Sequence, residues 1–186
     1  MITSCAPPAY AHAQPSDMVT AAMRAYIEER GRITTMALVG PPGTGKTWDM
    51  AGIANRRRES TYRQWAKNIW ISCATIDMVD RDELHAAALV GHDIPKDQVR
   101  PFVYLDDIGA RATDGAITRI YEVLAIRAER GLPTIATLNR DDKDALTERV
   151  RSRLAGGLVI DYTGMPDRRR SASSVVRIGK DVACGE

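Results

Sequence analysis

Along this chain, short apolar runs alternate with segments whose apolar positions recur every three or four residues. That is the pattern of parallel strands joined by helices. The runs Ile33–Val39, Asn68–Cys73, Phe102–Leu105, Pro133–Leu138 and Leu158–Tyr162 read as strands. Between them, Lys46–Arg58, Ile76–Val90, Asp114–Arg130 and Asp141–Leu154 read as helices. The third helix is the plainest, because Ile117, Ile120, Tyr121 and Leu124 share one face. A further helix is expected over residues 16–31, with Ser16 as N-cap and Gly31 ending it. Its apolar face carries Val19, Ala22, Met23, Tyr26 and Ile27. Residues 1–15, rich in Pro and Ala, read as a flexible arm. Residues 164–186 lack periodicity and read as a basic, irregular tail. Residues 16–163 therefore predict one α/β domain, a parallel sheet covered by helices.

Composition narrows the class. A chain of 186 residues, 44% hydrophobic and 27% charged, suffices for one globular domain with a real core. No stretch approaches the roughly 20 apolar residues that span a bilayer, and residues 1–14 lack a secretory signal's basic and apolar regions. No membrane partner is expected. Cys5, Cys73 and Cys184 are odd in number and far apart, which argues against a disulfide framework or zinc site and suits a reducing cytoplasm. The net charge of +2 decides nothing about nucleic acid. Local clusters carry more: Arg56–Arg58, then Arg149, Arg151 and Arg153, then Arg168–Arg170. Each is a solvated face unless something else points to a partner.

The chemistry begins at Gly40-Pro41-Pro42-Gly43-Thr44-Gly45-Lys46-Thr47, which fits G-x-x-x-x-G-K-[ST] between an apolar strand and a helix. Such a loop closes backbone N–H groups around phosphate oxygens, with the helix dipole behind them. Lys46 is expected to reach the β- and γ-phosphates of ATP, and the Thr47 hydroxyl to ligate Mg²⁺. Next, Phe102-Val103-Tyr104-Leu105 delivers Asp106 and Asp107 to the C-terminal end of a strand, the edge where open α/β sheets bind ligands. Asp106 is expected to hold Mg²⁺ and Asp107 to activate the attacking water. Asn139 ends a third strand, where it can sense the γ-phosphate or position water, unless it caps the following helix. Arg149 and Arg153, four residues apart, share a helical face and suit a trans-acting arginine finger.

As a set, these residues resemble the AAA+ branch of P-loop ATPases, in particular replication initiators and helicase loaders of the DnaA/DnaC type and IstB-type transposition ATPases. GPPGTGKT, LDDIG at Leu105–Gly109 and TIATLN at Thr134–Asn139 are similar to that clade's Walker A, Walker B and sensor-1 elements. ERVRSRLAGGL, at Glu148–Leu158, resembles the initiator box that carries the finger, at Arg153 with Arg149 beside it. Gly164–Arg168 resembles the short Gly-to-Arg tail of those groups. The resemblance implies an αβα sandwich with five parallel strands in the order 5-1-4-3-2 and no full C-terminal helical lid. It also implies homo-oligomers, spirals or rings, that act on single-stranded DNA with a replicative helicase or a transposase as partner. Candidate DNA contacts are Arg56–Arg58, Trp48, Trp65 and Trp70. Asp107 stands where many such ATPases carry Glu. That keeps a second reading open, a nucleotide-gated scaffold that hardly turns over. A nucleotide kinase is a more remote third.

Overall fold

The computed structural model describes residues 2–3, 6–28, 33–60, 68–95, 98, 100–111 and 113–168. Its strands are β1 (Ile2–Thr3), β2 (Thr35–Gly40), β3 (Ile69–Ser72), β4 (Val103–Ile108), β5 (Thr134–Asn139) and β6 (Leu158–Asp161). Its helices are α1 (Asp17–Glu28), α2 (Lys46–Ser60), α3 (Arg81–Leu89), α4 (Asp114–Glu129) and α5 (Glu148–Ala155). They surround one sheet of order β1-β3-β4-β5-β2-β6.

The period-two alternation of strands explains the three layers. In β2, Ala37 and Val39 face a core shared with α3, α4 and α5, while Met36 and Leu38 face one shared with α1 and α2. In β4, Val103 and Leu105 go to the first core and Tyr104 to the second. Both faces are covered, so the strands read as continuous apolar runs rather than half-polar ones.

Five strands, β2 to β6, run parallel in the expected order, but the sheet has six strands and is not wholly parallel. The sixth is β1, paired antiparallel to β3 with Ile2 opposite Ile71. It comes from the segment that composition suggests is a loose arm. Described residues further along that segment are also held. Ala13 is fully buried, and the Asn55 amide donates to the carbonyls of Tyr10 (2.9 Å) and Ala13 (3.1 Å). Helix packing against a distant chain segment overrides the Pro/Ala composition.

Two predicted helices are each divided. Ile76–Val90 becomes a 3₁₀ turn at Cys73–Met78 followed by α3, because the Asp80 carboxylate accepts the N–H groups of Asp82 and Glu83 and starts a new helix. Asp141–Leu154 becomes a 3₁₀ turn at Asp141–Ala145 and then α5. Ser16 precedes α1 as expected, yet its hydroxyl donates to Asp49 of α2 (3.0 Å). Gly31, Cys5, Cys184, Trp65, Arg169 and Arg170 lie outside the described residues.

One polar group organises the first core's floor. Arg127 of α4 is fully buried and donates to the carbonyls of Ala88, Val90, Pro101 and Pro133 and to the Thr134 hydroxyl. It thereby fixes the loops that lead into β4 and β5. Burial lowers its pKa to about 9. No helix among the described residues is long and apolar enough to cross a membrane.

Candidate functional site

The C-terminal ends of β2, β4 and β5 meet at a cleft of about 730 Å³ lined by Gly43, Gly45, Lys46, Thr47, Asp106 and Asn139, among others. Crossover of neighbouring strands at this edge makes it the ligand crevice of an open α/β sheet. The 40–47 loop turns directly from β2 into α2. At Gly45 the backbone has φ +97°, the left-handed region that favours glycine.

Lys46 is almost wholly buried, and its ammonium is held by the loop and by the end of β5. It donates to the carbonyls of Gly40 (2.9 Å) and Pro41 (2.6 Å) and to Asn139 Oδ1 (3.0 Å). Thr47 Oγ1 donates to Asp106 Oδ1 at 2.9 Å. The same carboxylate oxygen accepts from Thr137 Oγ1 (2.9 Å), and Thr137 Oγ1 in turn accepts the Asp107 backbone N–H (2.8 Å). Burial pushes the Asp106 carboxyl above the usual carboxylate range, and the two threonine hydroxyls pull the other way.

Asp107 carries φ +60°, the one left-handed non-glycine among the described residues. Asp and Asn tolerate that region better than most residues. The twist turns its carboxylate toward β5, where the Asn139 amide donates to Asp107 Oδ1 (3.3 Å) and to Asp142 Oδ2 (3.0 Å). Asn139 is therefore engaged with the site, and its side chain goes to Lys46, Asp107 and Asp142 rather than to a helix cap. Lys46, Thr47, Asp106, Asp107 and Asn139 thus form one connected network.

Arg149 and Arg153 are elsewhere. They line a groove with Thr34, Thr35, Tyr121 and Gly157, none of which lines the cleft. Thr35 begins β2 and Gly40 ends it, about 16 Å apart along the strand. No arginine spans that distance to its own phosphate loop. Neither guanidinium has a polar partner among the described residues.

The candidate DNA-contacting set is largely dispersed. Trp70 is buried, stacked on Tyr104 with ring centroids 5.8 Å apart. Arg57 lies over the Phe102 ring at 4.2 Å, whereas Arg56 is exposed and donates to Gln14. Trp48 is exposed but lines the cleft, edge-on to Tyr10.

Sequence reasoning missed Thr137, Asp142, Tyr10 and the position of Arg168. Thr137 stands two residues before Asn139 on β5 and so on the same face, a signal that period-two reading could have used. The Arg168 backbone N–H donates to the Gly43 carbonyl at 2.9 Å, and its side chain lines the cleft. What composition reads as an irregular tail thus begins on the phosphate loop.

No protein-family model matches the chain, and no curated protein matches it by sequence. Solved structures do match. They show the fold alone, an α/β core with helices on both faces of a largely parallel sheet. Within that class it is similar to helicase loaders and replication initiators. The crystal structure of DnaI aligns with TM-score 0.63 and 21% identity, covering 88% of this chain and 94% of that one. The DnaC helicase loader aligns at 0.60 and 17%, covering 83% and 99%. AMPPCP-bound DnaA from Aquifex aeolicus aligns at 0.60 and 16%, covering 88% and 53%. This chain spans about half the length of several of the initiator structures it matches.

Proposed function

We propose that this chain binds MgATP in the cleft and hydrolyses it within a homo-oligomer. In that assembly one protomer's Arg153, with Arg149 beside it, completes the site of the next. The observation that carries the ATPase reading is the connected network from Lys46 through Asn139 to Asp107 and Asp106. It places a cation, two carboxylates and an amide around a single phosphate loop. The backbone of Gly40–Thr47 receives the phosphates, and Lys46 exchanges its loop carbonyls for β- and γ-phosphate oxygens.

The donor set fits Mg²⁺, because Thr47 Oγ1 and Asp106 Oδ1 are hard oxygens 2.9 Å apart beside the loop. Mg²⁺ bound there supplies neutralisation of charge on the phosphate oxygens. Asp107 accepts a proton from water as the water oxygen attacks the γ-phosphorus. The bond to the bridging oxygen breaks, leaving ADP and phosphate. Asn139 orients the γ-phosphate or that water.

The trans finger is supported by two guanidiniums that have no polar partner among the described residues, on a groove at the far edge of the sheet from their own cleft. Action on single-stranded DNA, to load or regulate a replicative helicase, is supported by likeness to the DnaC helicase loader and to DnaA bound to AMPPCP and single-stranded DNA, the latter at TM-score 0.57 and 16% identity. ATP hydrolysis per protomer, measured against protein concentration with and without single-stranded DNA, tests the whole reading. Specific activity should climb with concentration, and DNA should steepen the climb. A flat, measurable rate would point to a self-contained site, and no rate at all to a nucleotide-gated scaffold.

A further inference from the structure

Asp142 has no part in the phosphate-loop pattern, yet it is built into the site. It sits in the 3₁₀ turn directly after β5, and its Oδ2 accepts from the Asn139 amide at 3.0 Å. Its side chain fills the notch beside Gly109 in the turn that follows the paired acids. A Cβ at position 109 would come within 2.6 Å of Asp142 Cβ, and Gly109 has φ +95°. The Asn139 carboxamide is thereby used at every polar position. Its oxygen accepts from Lys46, and its two N–H groups serve Asp107 and Asp142.

From this geometry we infer that Asp142 is a positioning residue for ATP hydrolysis, acting through Asn139; the inference rests on the ATPase reading above. When Lys46 turns to phosphate, Asn139 loses its Lys46 contact. The remaining anchors are then two carboxylates. Asp107 is one of them, and it must also engage water. Asp142 is the anchor with no second task, and it holds the amide against Asp107 while Lys46 is away. The fit at Gly109 also ties the β5 turn to the turn that follows Asp107, so the two strand ends keep their spacing.

The test compares wild type, Asp142→Ala, Asp142→Asn, Asn139→Ala and the Asn139→Ala/Asp142→Ala double variant. Steady-state ATP turnover is measured for each, together with AMPPCP affinity. Asp142→Ala should lower kcat about tenfold, as expected for loosened positioning, while KM and AMPPCP affinity stay at wild-type values. Asp142→Asn keeps an oxygen acceptor at the same place and should restore most of the rate. The double variant should be no slower than Asn139→Ala alone, because both changes break one contact. Unchanged kcat in Asp142→Ala, an additive double variant, or equal losses of kcat and AMPPCP affinity would each overturn the positioning role. A wild-type chain that binds AMPPCP but shows no turnover would overturn the ATPase reading, and this inference with it.

Discussion

The two edges of the sheet are built on opposite plans. At the C-terminal edge, the charged side chains at the centre of the phosphate cleft are engaged, Lys46 by three acceptors and Asp106 by two hydroxyls. At the N-terminal edge, Arg149 and Arg153 line a groove of about 500 Å³ with no polar partner among the described residues. The first edge is preorganised from within the chain. The second presents charge without using it. On the proposed function each edge is half of one site, completed when the groove of one protomer meets the cleft of another.

That contrast is most open to attack at its far end. Arg153→Ala should cut ATP turnover about a thousandfold, the worth of an arginine finger, and leave AMPPCP affinity unchanged. A parallel loss of affinity would place Arg153 in its own protomer's binding site. At the near end, Asp107→Asn keeps the left-handed backbone and the acceptor oxygen but removes the proton acceptor. Turnover should fall by about two to three orders of magnitude, with nucleotide still bound.

Arg127→Leu asks whether the near edge depends on its buried scaffold. It leaves the carbonyls of Ala88, Val90, Pro101 and Pro133 without that donor and should cost about 3 kcal/mol in chemical denaturation. Thr137→Val keeps the shape and removes the hydroxyl that joins Asp106 to the Asp107 backbone. A loss of about 1.4 kcal/mol, or tenfold in turnover, is expected. The smallest effect should come from Arg151→Ala. Arg151 is exposed on the same helix but absent from the groove lining, and its turnover should stay within about twofold of wild type.

The legibility of these parts in sequence follows their locality. The phosphate loop and the β4 acids are contiguous signals, and the strands were readable because both sheet faces are buried. Period-two spacing puts Thr137 on the face of Asn139, but its bond to Asp106 depends on the register between β4 and β5, and Asp142 acts through the depth of the Gly109 notch, which no local pattern encodes. The N-terminal segment misled for a related reason. Its Pro/Ala composition describes the isolated chain, whereas Asn55 of α2 supplies its anchor from more than forty residues away. Trp70 and Arg57 misled in the other direction. A basic, aromatic run looks like surface until packing puts Trp70 and Phe102 in the core.

A mixing experiment tests the shared site most directly. Arg153→Ala has an intact cleft and no finger, while Asp107→Asn has an intact finger and a disabled cleft. Each alone should be nearly inactive. Mixed in equal amounts, they form interfaces at which one protomer's cleft meets the other's Arg153, and turnover should rise well above the sum of the separate rates. A mixture no faster than that sum, with both variants shown to assemble, would contradict a site completed in trans.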